Sequence, residues 1–445
     1  MVTKEVKVIQ SVKETNVFWQ ESSLTFDKKQ ANNADVMVNP SETFQTWLGF
    51  GGAITESSAY NLNLVSQKHR EEIITAYYDP DNGLGYNLGR VHINSSDFSL
   101  GNYDYVDYMD ETLASFSIEH EEKYVLPLLH DIEKVAGKPL KLMASPWSPP
   151  SWMKTNNEMN HGGKLKREYD SLWSKYFVKY IEAMNEKGIS IWAVSIQNEP
   201  EAKQVWDSCL YSAEEERDFV RDHLGPTLAE ANLDQVKIII WDHNRDIIVE
   251  RASVVLNDPE ASKYVWGIGN HWYISEEFEN LTKVHELFPD KHLLFTEGCI
   301  EGGVKLGEWH TGERYARNII GDINNWLEGF IDWNIVLDEQ GGPNHVGNYC
   351  DAPVIIDSKK DIVHYNSSFY FIGHFSKYIQ VGAKRIAVSV NNVKLAATGF
   401  NNPDGSNVII ILNETDNRQN FTLSIDEEFG EIDVPAHSIT TFIVN

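Results

Sequence analysis

The chain has 445 residues, 42% of them hydrophobic and 23% charged, ordinary globular usage that excludes a disordered or fibrous protein. Its 38 basic against 66 acidic side chains give a formal net charge of −28, which opposes nucleic acid and stable association with anionic membrane and suits a neutral partner such as a sugar. No run of 18 apolar residues occurs, MVTKEVKVIQ holds no apolar leader, and Cys209, Cys299 and Cys350 form no CxxC or zinc spacing, so a reducing, cytoplasmic location is expected. In chain order, residues 5–38 alternate as strands do (VKVIQSV, SLTFD). Eight β-like runs follow: 47–54, 86–93, 140–145, 190–196, 236–242, 265–271, 292–297 and 329–335. Most are near-continuous apolar runs, as expected of strands covered on both faces. Helical periodicity fills several intervals. The plainest is 170–186, with Leu172, Tyr176, Phe177, Tyr180, Ile181 and Met184 on one side and Gly188 as the stop signal. Residues 384–445 read as further strands (RIAVSV, LAATGF, NVIIILNE, NFTLSID, HSITTFIV) parted by turns such as NNPDG at 401–405.

Eight strands alternating with helices predict an α/β chain built as a (β/α)8 TIM barrel with enlarged loops. An open doubly wound sheet usually needs a Gly-rich phosphate turn after its first strand, and GFGGAIT lacks the GxGxxG spacing. The expected organisation is residues 1–43 as sandwich strands, 44–380 as the barrel and 381–445 as the remaining strands, both ends meeting in one β-sandwich.

A TIM barrel carries its active site at the C-terminal ends of the strands. The fourth run ends Ile196-Gln197-Asn198-Glu199-Pro200 and the seventh ends Phe295-Thr296-Glu297-Gly298. Two carboxylates at one barrel mouth are the minimum apparatus of glycoside hydrolysis, one donating a proton and the other attacking the anomeric carbon. The blander alternative is that each glutamate caps a helix or joins a loop ion pair. Thirteen tryptophans add to the sugar reading, because several, such as Trp147 in SPWSPPSW, sit among prolines and polar residues, where a pyranose face can stack. A tryptophan merely packed in its loop is the alternative.

The sequence resembles glycoside hydrolase family 30, the glucosylceramidase-like retaining β-glycosidases. The resemblance rests on Asn198-Glu199-Pro200 with Glu297 and on an ordered set of runs from about residue 44 to 380. These are FGGAITE at 50–56, Arg90-Val91 through Asp97-Phe98-Ser99, ASPWSPPSWMK at 144–154, His271-Trp272-Tyr273, Asp332-Trp333-Asn334 with Gly341-Gly342-Pro343-Asn344, and GHFSK at 373–377. It implies a TIM barrel with a sandwich from both chain ends, Glu199 as general acid/base and Glu297 as nucleophile. It further implies that Asn198 holds the sugar 2-hydroxyl, that Arg90 and Tyr273 orient Glu297, and that Asp97, Trp147, Trp333 and Asn348 line the glycone pocket. On this reading Arg90 should lower the pKa of Glu297, and burial with the nearby Glu297 charge should raise that of Glu199. The carboxyls should lie roughly 5–5.5 Å apart.

The expected substrate is a small β-glucoside or oligosaccharide, with β-1,6-linked gluco-oligosaccharides or β-xylosides as alternatives and a sugar-binding barrel without turnover as the non-enzymatic one. No metal or organic cofactor is expected, since His92, His243, His271 and His345 are scattered without a ligand spacing. Oligomeric state is not legible. Cys299, two residues after Glu297, reads as a buried inert thiol unless it opens onto the pocket. Segments 154–166 and 301–313 are expected to border the leaving-group side.

Overall fold

The computed structural model describes residues 4–27, 34–391, 393–426 and 428–445; residues 28–33, part of the stretch read as alternating, lie outside it. Eight strands close into a barrel: Gly49–Ala53, Leu88–Ile93, Lys141–Pro146, Ile191–Ser195, Lys237–Asn244, Val265–His271, His292–Glu297 and Gly329–Asn334. Each falls on one of the eight predicted runs, and seven neighbouring pairs are seen to run parallel. The reason is visible in their burial. The second and eighth strands are buried at every position, as a barrel strand with side chains inside and helices outside must be. Leu88, Met143, Ala193, Ile239, Leu294 and Ile331, one from each of six strands, form a filled interior cluster. The glycines of the first strand are steric: a Cβ on Gly51 would stand 2.1 Å from the carbonyl oxygen of Leu88.

The helix Asp170–Glu186 forms as predicted, burying Tyr176, Phe177, Tyr180, Ile181 and Met184. Leu172 is only half-buried, and Trp173 takes the core position beside it. Gly188 adopts φ +80°, and Ile189 N–H donates to the Met184 carbonyl, a C-terminal stop that needs a left-handed residue.

The described residues divide by internal contacts into two units, 50–304 with 330–364, and those up to 49 with 305–329 and 365–445. The second unit holds a sheet of nine hydrogen-bonded strands. Lys4–Val12 pairs with Ser438–Val444, and Val36–Thr46 pairs with both Lys384–Val390 and Gln419–Ile425, so both chain ends supply it. Its two edges meet, Asp27 bridging Phe429 and Phe26 lying against Gly430, and Val6, Phe26, Val36, Ile409, Phe421 and Phe442 share one core. This is the expected β-sandwich. It contains one strand that the sequence reading missed, Glu428–Val434, whose acidic residues mask its alternation. The helices Trp309–Asn324 and Ser367–Ser376 belong to the same unit. Among the described residues no helix is long and apolar enough to cross a membrane.

Candidate active site

The barrel strands deliver their polar ends to one rim. After Ser195 the chain leaves the fourth strand, and Asn198 N–H donates to the Pro146 carbonyl (2.9 Å) and Glu199 N–H to that of Asp242 (3.1 Å). These bonds tie the segment to the third and fifth strands and leave Glu199 at φ +48°, a region non-glycine residues seldom occupy. Glu297 ends the seventh strand. Oxygens of Glu199 and Glu297 approach within 4.8 Å, with a nitrogen of His271 within the same distance of both.

Arg90, fully buried on the second strand, spends its guanidinium on this rim. It donates to Glu297 Oε2 (2.7 Å), to Asn198 Oδ1 (2.9 Å), to Asp242 Oδ2 (2.7 Å), to Ser145 Oγ (3.2 Å) and to the Thr296 carbonyl (3.1 Å). Asn198 is thereby oriented with its oxygen on Arg90 and its amide N–H groups free to face a ligand. The other oxygen of Glu297 accepts from the Tyr273 hydroxyl at 2.9 Å. Trp147 and Trp333 stack on each other, centroids 5.2 Å apart, with the Arg90 guanidinium 4.8 Å over Trp147. Asp97 Oδ2 accepts from Asn344 (3.2 Å) and Asn348 (3.0 Å), leaving Oδ1 for a hydroxyl. Burial pushes the Asp97 carboxyl up to about 7, and the charges of Glu297 and Asp207 add to this.

Two residues to which the sequence reading gave no role in the site complete the network. Asp242, on the fifth strand, accepts from four donors: Arg90 and Ser195 on Oδ2, His271 Nε2 and Thr296 on Oδ1. Burial pushes its carboxyl up, but Arg90 and His271 outweigh burial and hold it far below the usual range. His271, ending the sixth strand, points Nε2 at Asp242 (3.0 Å) and Nδ1 at Glu199 Oε1 (3.2 Å). Burial pulls its imidazolium down, yet the Glu297 charge and the bonds to Asp242 and Glu199 raise it to about 9. The signal for both was present, since each is a polar residue ending an apolar run, the same criterion that picked the glutamates.

The titration of the pair departs from expectation. Burial raises Glu297 and the Glu199 charge adds to it, although His271 and Arg90 pull the other way. For Glu199 burial also pushes up, but His243 and His271 outweigh it and the group falls below its usual value. The geometric cause is the approach of His271 Nδ1 to Glu199 Oε1 at 3.2 Å, with His243 Nε2 facing the same oxygen at 3.9 Å.

A cavity of about 350 Å³ opens over this rim. Asp97, Trp147, Asn198, Glu199, Tyr273, Glu297, Trp333 and Asn348 all line it, and Arg90 lies beneath them, so the nine residues singled out from the sequence come together. His243, Trp206, Gln204, Cys299 and Cys350 line it too. Segment 154–166 does not. It braces the loop at 200–208 from behind, with Asn160 bridging Asp207 and Lys154 Nζ donating to the Ser208 carbonyl (2.6 Å). Of 301–313, Glu301 reaches the cavity. Among the described residues Glu199, His271 and Glu297 form the one cluster with the spacing of a metal site. Both ring nitrogens of His271 face carboxylates, Nε2 toward Asp242 and Nδ1 toward Glu199.

A closed eight-stranded barrel with paired carboxylates at the carboxyl rim, joined to a β-sandwich, defines a glycoside hydrolase. The chain belongs to glycosyl hydrolase family 30: residues 47–379 match its TIM-barrel domain and residues 382–442 its beta sandwich domain. It is 37% identical over 427 residues to the lysosomal acid glucosylceramidase of Mus musculus, covering 91% of this chain and 82% of that one. Among solved structures it is similar to SrfJ from Salmonella typhimurium (36% identity, 99% of both chains, TM-score 0.95) and to the endo-β1,6-glucanase BT3312 (31% identity, 99% of both chains, TM-score 0.88).

Proposed function

We propose that this protein is a retaining β-glycosidase that hydrolyses β-D-glucosides by double displacement. The observation that carries the reading is the approach of Glu199 and Glu297 within 4.8 Å. Retaining enzymes hold their carboxyls about 5–5.5 Å apart, whereas inverting ones leave roughly 6.5–9.5 Å for a water. Glu297 attacks the anomeric carbon while Glu199 protonates the departing oxygen, giving an ester to Glu297 and the free aglycone. Glu199, now ionised, takes a proton from water as the water oxygen attacks that ester, which releases the sugar and restores both groups.

The network supports this division of roles. Arg90 and Tyr273 each occupy one oxygen of Glu297 and stabilise the returning carboxylate. His271 Nδ1 lies 3.2 Å from Glu199 Oε1, within reach to pass a proton to Glu199 before the acid donates to the leaving oxygen; the proton later taken from water restores the pair. Asn198 presents its amide where a 2-hydroxyl must lie, and that bond strengthens as positive charge develops on the ring. Glucose as the glycone is supported by the likeness to a glucosylceramidase and a glucanase. The likeness to the endo-β1,6-glucanase favours β-1,6-linked gluco-oligosaccharides as the second reading.

The test is chemical rescue. Glu297→Gly should abolish turnover of an aryl β-glucoside, and added azide should restore cleavage with an α-glucosyl azide as product. Retention of normal activity by that variant would remove Glu297 from the mechanism, and a β-configured azide would overturn double displacement. A panel of aryl glucoside, xyloside, galactoside and fucoside, followed by linkage-defined disaccharides, decides between the substrate readings.

A further inference from the structure

Two thiols share the wall of the catalytic cavity. Cys299 stands two residues after Glu297, and Cys350 stands two residues after Asn348. Both line the cavity, each only 4% exposed, so small molecules reach them through the substrate's space. The chain around them is held in antiparallel register: Glu301 bridges Cys350, and Asp351 N–H donates to the Ile300 carbonyl at 2.8 Å. Cys299 is therefore the diagonal neighbour of Cys350 on one face of that bridge. The two side chains pack in one buried cluster with Trp147 and Trp333. The Tyr273 hydroxyl that bonds Glu297 lies 3.5 Å from the Cys299 sulfur. Cys209 lies elsewhere, beside Lys154 and off the cavity, its thiol pushed up to about 11 by burial.

We propose that Cys299 and Cys350 are a redox-responsive dithiol that closes to a disulfide with hydroperoxide and lowers turnover. Hydrogen peroxide is neutral and little larger than water, so the acidic field and the narrow cavity admit it where a charged peptide disulfide is excluded. The Cys350 sulfur attacks one peroxide oxygen. The O–O bond breaks and water leaves with the thiol proton, giving a sulfenic acid. Cys299 sulfur then attacks that sulfur and displaces its hydroxyl, which departs as water with the second thiol proton. In sum two thiols and one peroxide give one disulfide and two waters. A thiol reductant reverses it. The neighbouring Cys350 thiol and burial push the Cys299 thiol up, so closure follows sustained exposure and is faster at alkaline pH.

Closure acts on the site because both cysteines are tethered to it. Bringing the sulfurs from contact to a bond of about 2.05 Å draws the two segments together. That moves Cys299 from Tyr273, which orients Glu297, and shifts the loop carrying Asn348, which orients Asp97. Displacements on the ångström scale at a reacting centre cost roughly 100-fold.

The effect on turnover rests on the glycosidase reading; the crosslink does not. The experiment treats the full chain, Cys350→Ala and Cys209→Ser with hydrogen peroxide. Intact mass, peptide mapping and aryl β-glucosidase activity are followed before and after a thiol reductant. The expected result is loss of two hydrogens, a mapped Cys299–Cys350 peptide, a fall in kcat/KM of roughly 10- to 100-fold, and recovery on reduction. Cys209→Ser should behave as the parent, and Cys350→Ala should form no crosslink and show no loss that reductant reverses. A parent that forms no such crosslink, a crosslinked parent with unchanged kcat/KM, or a Cys350→Ala variant switching off and on like the parent each overturns the proposal. A protein inactive on every glycoside before oxidation would instead count against the proposed function, while the mapped peptide would still decide the crosslink.

Discussion

At the scale of single residues, two carboxylates of the candidate site stand on left-handed backbone. Glu199 sits in left-handed backbone conformation, held there by its bond to the Asp242 carbonyl, and Asp242 itself adopts φ +51°. Such backbone is retained where a side chain must point across a strand end. Replacing Glu199 by Ala should lower kcat/KM by about 10²–10⁴-fold on glycosides with poor leaving groups, the usual worth of a general acid, and far less on aryl substrates. An equal loss on both would exclude the acid role. His271→Asn tests the proton store. The proton shared by His271 and Glu199 is lost as pH rises through about 9, so activity should fall on that alkaline limb, and the variant should lose activity at lower pH than the parent. A pH profile of kcat/KM reads the shift, which a purely structural role for His271 would not produce. Asp97→Asn removes a charged acceptor for a sugar hydroxyl. About 1.5–3 kcal/mol, or roughly 10- to 100-fold in kcat/KM, is expected.

At the scale of elements, most of what positions the site was legible because barrel strands announce themselves. Runs such as VKIIIWD and HLLFTE have an apolar centre and end on a polar residue, and that residue is what reaches the rim. The strand Glu428–Val434 escaped because an edge strand with one wet face carries acidic residues at alternate positions and looks like a loop. The cavity loop at 200–208 escaped for a different reason: its shape comes from the Lys154 and Asn160 contacts, which join residues about fifty positions apart. The helix Asp170–Glu186 gives an element-scale prediction. Gly188 has open space around its Cα, its nearest neighbour being His130 Cε1 at 3.8 Å, so only its φ of +80° demands glycine. Gly188→Ala should destabilise by about 1–2 kcal/mol in denaturant unfolding and leave kcat/KM unchanged.

At the scale of the whole molecule, two buried histidines set opposite pH limits on stability. His374, in the sandwich unit, lies between Ser11 and Thr441, and burial depresses it from 6.5 to about 3. Its folded state excludes the proton that the unfolded chain takes up, so its contribution is present above pH 6.5 and lost as pH falls toward 3. His271, in the barrel unit, is raised to about 9; its contribution is complete below 6.5 and lost as pH climbs through 9. Melting temperature against pH should therefore fall on both sides. His374→Gln should flatten the acid side and His271→Asn the alkaline side, each lowering the plateau; unchanged limbs would exclude these groups as the cause.

What the chain determined by itself was its class of fold and the identity of the carboxylates, because periodicity, strand ends and runs such as Asn198-Glu199-Pro200 are local and survive without a third dimension. The protonation of the site was decided only by folding. The expectation that Glu199 would hold its proton considered the glutamate pair alone. In the folded barrel His243 and His271 come from other strands, outweigh burial and lower the Glu199 carboxyl. Electrostatic balance in a buried site depends on every charge within a few ångströms, and those neighbours come from five strands spread over more than 200 residues of sequence.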